Sequence, residues 1–339
     1  MKQVTSIALA LVLAASGAAI APVLAPRAVA AAETPPPAPP AAIAPLIGEY
    51  GAGEKMVIVF EREGALHLDG QGHSAARLEP AAGGWKLESR TLTFSGRRNG
   101  QAQVLSGLGE PLIRRDRGAE VEARIRAGVK ADPDRLRQRA LAAKPPVETG
   151  KRPSDLVDLT GIPGLKFDIR YAGTNNFMGI RLYEKPGAYL QRPAAEALAR
   201  VQKAIAAKGY GLMIHDGYRP WFVTWMFWEA VPPEHHNFVA NPANGSRHNR
   251  GCAVDLTLYE LKTGKVVEMP GRYDEISGRS KPDYVGGASR QRWHRDLLRR
   301  EMEKEGFTVY PDEWWHFDYQ AWREYPIGNA TFTELAKER

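Results

Sequence analysis

The chain has 339 residues, 43% of them hydrophobic, and its 46 Lys and Arg against 39 Asp and Glu leave a formal net charge of +7. That length suggests two domains of ordinary size, with enough apolar residues for packed cores. The basic residues are scattered, with no dense block interleaved with aromatics, which leaves no recognisable nucleic-acid interface; the single cysteine, Cys252, rules out an internal disulfide.

The chain opens with Lys2, an apolar run "SIALALVLA" at 6–14, and an Ala-x-Ala site at Ala28 and Ala30 in "RAVAAAE". This reads as a signal peptide over residues 1–30, the apolar run being too short to span a bilayer comfortably. A retained N-terminal anchor is the alternative. No cysteine lies near the cleavage region, so a lipid anchor is not expected, and no later stretch is apolar enough to cross a membrane. The expected location is outside the cytoplasm, in the periplasm or at the cell surface. Residues 31–45, with "ETPPPAPPAAIAP", are too rich in proline for helix or sheet and read as a Pro/Ala-rich linker.

Residues 46–117 have a different texture. "KMVIVFEREGALHL" predicts two strands around Glu63-Gly64, and "GWKLESRTLTFSGRRNGQAQVL" predicts more, with a turn at Asn99-Gly100. The expectation is a small antiparallel β module, with His67 and His73 on its surface. Residues 118–153 read as a helical segment and linker: Val121, Ile125 and Val129 lie four apart, Pro133 interrupts the run, and "KPPVETGKRPSD" follows.

The last domain spans 154–339. Pro193 opens a helix with Leu198, Val201 and Ile205 on one stripe, ended by Gly209. "GLMIH" predicts a buried strand. "PWFVTWMFWEAV" predicts a helix with Pro220 at its first position and Trp221, Trp225 and Trp228 facing the core. "ASRQRWHRDLLRREMEKEG" predicts a third, N-capped by Ser289. Strands and helices without strict alternation indicate an α+β fold.

Three stretches can carry chemistry. In "SRHNRGCAVDL", His248 and Asp255 flank Gly251, which allows a tight turn, and "AVDLTL" alternates like a strand with Ala253, Asp255 and Thr257 on one face. Alone, such a pair is more often a structural hydrogen bond. In "EWWHFDY", Glu313 and His316 sit three apart among aromatics, where both are costly to bury without partners. A metal supplies the partner: His248, Asp255 and His316 make three protein ligands and leave a fourth position for water, as catalytic zinc sites do. Glu313 then serves as base rather than ligand, since a fourth protein ligand would close the site. In "HDGYRP", Arg219 follows a strand and precedes a helix, and can stabilise an oxyanion or, alternatively, pair structurally with Asp216. Cys252 reads as a small packed residue, and His215, His235, His236 and His294 take no role.

"SRHNRGCAVD" fits the Ser-x-His-x-x-Gly-x-Ala-x-Asp pattern of the zinc D-alanyl-D-alanine dipeptidases, the family that includes the vancomycin-resistance dipeptidase. "EWWHF" resembles its Glu-x-x-His signature, "DGYRP" its arginine motif, and "DIRYAGTNNFMG" its early strand and loop, in the family's order from about Val157 to about Tyr325. The resemblance implies the hedgehog/DD-peptidase fold, with a central antiparallel sheet and flanking helices. It implies one Zn2+ per chain on His248, Asp255 and His316, with Glu313 as base and later proton donor and Arg219 on the tetrahedral intermediate. Ser246 and Asp274 match positions that hold the substrate's amino end; a carboxylate is the natural partner of a dipeptide's ammonium. The implied substrate is D-Ala-D-Ala, in cell-wall peptide turnover. The alternatives are a D,D-carboxypeptidase acting on longer peptidoglycan peptides, or an inert protein that touches the wall through its β module. Two histidines and a carboxylate suit zinc, although other divalent ions can substitute.

Overall fold

A computed structural model describes residues 34–337. The expected signal peptide and the first residues of the linker lie outside the described residues. Among the described residues no helix is long and apolar enough to cross a membrane.

The β module is a closed antiparallel barrel of eight strands: β1 Gly48–Tyr50, β2 Val57–Arg62, β3 Ala65–Gly70, β4 His73–Ala81, β5 Gly84–Leu87, β6 Arg90–Arg98, β7 Gln101–Ser106 and β8 Leu112–Arg115. Each strand pairs with the next, and β8 returns to β1 with Tyr50 opposite Arg114. Glu63 (φ 52°) with Gly64 (φ 77°), and Asn99 (φ 51°) with Gly100 (φ 76°), turn two of the hairpins. Two successive left-handed residues match the right-handed twist of the strands, hence Gly in the second place. Alternate residues fill the interior, among them Tyr50, Val57, Val59, Leu66, Leu68 and Leu105. The Pro/Ala-rich linker does not remain outside: Ile43 and Leu46, apolar residues just past the prolines, are buried in the same interior. Nor are both barrel histidines plain surface residues, since His67 is half-buried and stacks on Phe60 at 5.5 Å.

Residues 118–153 do not behave as a linker either. Helices α1 (Arg117–Ala131) and α2 (Pro133–Ala142) meet at Asp132, and Pro133 starts the second helix, where its missing N–H costs nothing. Ile125, Val129 and Ala140 pack into a core with Tyr171, Phe222 and Phe227 of the last domain. Glu148, in the stretch read as linker, is paired with Arg250 at 2.9 Å.

The last domain adds β9 Leu156–Asp158, β10 Lys166–Phe167, β11 Tyr189–Gln191, α3 Arg192–Ala206, β12 Tyr210–Asp216, α4 Trp221–Ala230, β13 Ala253–Glu260, α5 Ser289–Lys304, β14 Phe307–Tyr310, β15 Glu313–Tyr319 and α6 Phe332–Lys337. The fold is α+β. Its main sheet has five strands in the order β10-β12-β13-β15-β14. It is not wholly antiparallel, because the short edge strand β10 runs parallel to β12. On β13, Val254, Leu256 and Leu258 share one core with Leu198, Val201 and Ile205 of α3 and Leu297, Leu298 and Met302 of α5. Period-two alternation therefore leaves Asp255 on the opposite face. Three local expectations change. Pro220 is the N-cap of α4 rather than its first residue. Ala288 precedes α5 and Ser289 is its first residue, whose hydroxyl reaches Glu61 of the barrel at 3.2 Å. Of the three tryptophans of α4 Trp221 is buried in the core and Trp225 packs partly buried against it beneath Arg139, whereas Trp228 lies against the His236 ring.

Asp116 joins the barrel to α1. It caps the helix by accepting from the Ala119 amide at 3.1 Å, and it receives Arg272 at 2.9 Å and Arg279 at 2.5 Å. Burial alone would raise its pKa, but Arg272, the Ala119 amide and Arg279 outweigh this and hold it at about 2. An unfolded aspartate titrates near ~3.9. A depressed folded value contributes stability above that pH, and the contribution fades as pH falls toward the folded value. The melting-temperature gap between wild type and Asp116→Asn is thus expected to narrow below about pH 4. A gap of constant size from pH 6 to pH 3 would contradict the pairing.

Candidate active site

Three side chains converge from two places in the fold. Asp255 on β13 and His316 on β15 are directly opposite in the antiparallel register. His248 lies in a 3-10 turn, His248–Arg250, whose end at Gly251 takes φ 65°. A Cβ at that glycine would sit 2.4 Å from Leu156, so both the left-handed turn and the close packing need glycine there. His248 Nε2, His316 Nδ1 and Asp255 Oδ1 lie 3.0, 3.1 and 3.2 Å from one another.

Hydrogen bonds on the far sides of both rings set their tautomers. His248 Nδ1–H donates to the Gly217 carbonyl at 2.7 Å. His316 Nε2–H donates to Asp318 Oδ1 at 2.9 Å. Each imidazole thus turns a lone pair inward. Asp255 is oriented by the Tyr273 hydroxyl, which donates to Oδ2 at 3.1 Å, while Oδ1 accepts no hydrogen bond. Three lone pairs pointing at one buried centre repel unless a cation lies between them. Burial opposes charge on His316, yet Asp318 and Asp255 push its pKa up to about 10, so that without a metal a proton occupies the inward face of the ring where a bound cation would displace it. Zinc–ligand bonds of about 2.0–2.1 Å set tetrahedral ligand separations of roughly 3.3 Å, close to the 3.0–3.2 Å here. The donor set and its spacing fit zinc.

Around this centre is a cavity lined by Tyr171, Phe227, Ser246, Asp274 and Glu313 as well as the three converging residues. Glu313 is 16% exposed, and its Oε2 lies 3.6 Å from His316 Nδ1. Burial pushes its pKa up to about 8, with His316 opposing and Asp255 and Asp274 adding to the rise. Arg219 takes up the structural pairing and still borders the cavity. It pairs with Asp216 at 2.8 Å and also lines the cavity, its guanidinium 4.6 Å from the Phe227 ring centre and 3.5 Å from Asp255. Asp274 takes φ 60°, and its Oδ1 accepts from the Tyr171 hydroxyl at 2.8 Å. Burial raises its pKa to about 7 despite that bond. Ser246 is buried, and its Oγ accepts from the His248 amide at 3.2 Å, so it braces the turn that carries His248.

Some residues of the site escaped the sequence reading. Asp318, Tyr273 and Tyr171 hold other members in place, and Tyr183 donates at 2.6 Å to Asp216, the partner the sequence reading offered for Arg219. Asp318 was within reach, since it lies two residues after His316 on one strand face. His215, expected to be idle, is buried with its ring 4.5 Å from that of Tyr273. His236 and His294 bond elsewhere, to the Val231 carbonyl and to Tyr210.

Cys252 is fully buried, and burial pushes its thiol up to about 12. Iodoacetamide at pH 8 is therefore expected to leave the folded protein unlabelled and to add one group after denaturation, as read by intact mass. Labelling of the folded chain would contradict that burial.

The Peptidase_M15 family model, described as D-ala-D-ala dipeptidase, matches residues 152–326. The D-alanyl-D-alanine dipeptidase of Escherichia coli is 33% identical over 175 residues, 51% of this chain and 89% of that protein. The one from Enterococcus faecium is 34% identical over 189 residues, 50% of this chain and 92% of that protein. A solved LD-carboxypeptidase overlaps 51% of this chain and 72% of its own at 21% identity, with a TM-score of 0.30, too slight a likeness to argue from.

Proposed function

Since the chain belongs to the Peptidase_M15 D-Ala-D-Ala dipeptidase family, we propose that it hydrolyses the D-Ala-D-Ala dipeptide to two D-alanines at a zinc centre, outside the cytoplasm. The observation that carries the reading is the His248, Asp255 and His316 triangle, with lone pairs turned inward and Glu313 beside it. Zinc held by these three residues supplies a Lewis acid and makes water a nucleophile near neutral pH.

The chain's own residues do the rest. Glu313 takes the proton of the attacking water and returns it to the leaving amine. Arg219, held by Asp216 and desolvated between Phe227 and Tyr171, keeps its charge and directs N–H groups at the oxygen that becomes anionic. Asp274 receives the substrate's ammonium, which relieves the cost of a buried carboxylate. Ser246 acts through the turn that holds His248 and borders the same space. The apolar run after Lys2 and the Ala28–Ala30 site support export, and an exported enzyme meets dipeptide released from the wall.

The test is D-alanine release from D-Ala-D-Ala by residues 33–339, before and after chelation and zinc restoration, with a D-Ala-D-Ala-terminated pentapeptide in parallel. Release from the dipeptide that stops with chelator and returns with zinc is expected. Turnover of the pentapeptide alone would transfer the reading to longer wall peptides.

A further inference from the structure

The family match begins at residue 152, so the barrel and α1 lie outside it. The hydrogen bonds of the barrel and of Asp116 with the last domain gather on one stretch of it, residues 272–292, while the rest of α1 packs against Tyr171, Phe222 and Phe227. Glu49 of β1 accepts from the Tyr284 hydroxyl at 2.9 Å. Glu61 of β2 accepts from the Ser289 amide at 2.7 Å, its own amide donates to the Gly287 carbonyl at 3.1 Å, and Arg292 donates to its carbonyl at 2.6 Å. Asp116, at the barrel's exit, receives Arg272 and Arg279. Acidic groups on one side thus meet arginines and hydroxyls on the other.

The same stretch carries Tyr273 and Asp274 into the site. Asp274 holds a left-handed φ, and the neighbouring Glu275 keeps the turn in shape. Glu275, 3% exposed, accepts from the Arg272 amide at 2.9 Å, from Ser277 Oγ at 2.6 Å and from Arg279 Nε at 2.6 Å. Both arginines that shape this turn are the ones Asp116 holds. Gly118, the second residue of α1, is pressed against the turn: a Cβ there would stand 2.4 Å from Glu275 Cγ.

We infer that the barrel and the start of α1 are a clamp on the Tyr273–Glu275 turn, with Asp116 and Gly118 as positioning residues for Asp274. The inference rests on the reading of Asp274 as the partner of the substrate's ammonium. It gives the barrel a task inside the enzyme, independent of any contact with the wall. Ammonium binding depends on where the carboxylate sits, whereas Asp255 and His316 are fixed by the pairing of their strands and His248 by its own 3-10 turn; the clamped turn reaches those ligands through the Tyr273 hydroxyl, which donates to Asp255.

Two full-length variants test it. Asp116→Asn keeps an oxygen to cap α1 but loses the ion pairs. Gly118→Ala is favourable for a helix and fails only through Glu275. Each is expected to raise KM for D-Ala-D-Ala roughly ten-fold, with kcat within about two-fold, and to speed amide exchange at 272–276 while leaving β13 and β15 unchanged. Unchanged KM in both variants overturns the clamp, and so does a raised KM without faster exchange at that turn. If the wild type has no turnover at all, the functional reading fails instead, and the exchange measurement alone decides whether Asp116 and Gly118 hold the turn.

Discussion

Glu313→Gln is expected to lower kcat for D-Ala-D-Ala by ~10²–10⁴-fold while the protein keeps its metal. Glutamine has nearly the same shape but cannot accept the proton of the attacking water. Glu313 stands 3.6 Å from His316 at the edge of the converging triangle, beside the space a substrate needs and outside the group whose ligand atoms meet at one point. The measurement is kcat and KM beside metal content per chain. Full activity would remove Glu313 from the chemistry. Loss of metal in this variant would make it a ligand and leave the reaction without its base.

His316→Ala is expected to empty the metal centre, and with it all turnover. Its effect on the fold should also be large. His316 is 7% exposed and serves Asp255 on one side and Asp318 on the other. Removing it leaves two largely buried carboxylates without their shared partner, and breaking a buried pair this way costs about 3–5 kcal/mol. The variant should therefore melt below wild type even when chelator has stripped both. Wild type itself should melt higher with zinc, by about 2.7 kcal/mol at a free metal concentration 100 times the dissociation constant. Metal stoichiometry equal to wild type in His316→Ala would show that the ligand set is wrong.

The chemistry was more legible than the architecture around it. Asp255 could be placed because the alternation of Val254, Leu256 and Leu258 marks a strand with one buried face. His316 and Glu313 stand out because ionisable groups among aromatics need partners. What the sequence withheld depends on long-range pairing. Closure of the barrel rests on Tyr50 meeting Arg114, which no local pattern encodes. The parallel pairing of β10 with β12 covers only Lys166 and Phe167, too short for a periodic signal. Residues 144–155 look like a linker from their prolines, yet Glu148 is fixed by Arg250 from across the domain. Tyr171 and Tyr273 were missed because each acts on a residue distant in sequence, and a hydroxyl shows no role until its partner is known. Ser289 was misjudged as a helix cap because its true partner, Glu61, belongs to the barrel.

The strand register that sets Asp255 against His316 also governs when the centre can come into being. His248 and Asp255 emerge from the ribosome together, but His316 belongs to β15, the last of the described strands. Until β15 has been made and has zipped onto β13, two of the three groups have nothing to share a metal with. On the proposed zinc reading the nascent chain would be a poor metal scavenger during synthesis, and the metal would enter only after β15 has paired with β13. Were the chain exported before β15 had paired, as the proposed signal peptide would allow, loading would fall to whatever metal the destination compartment provides.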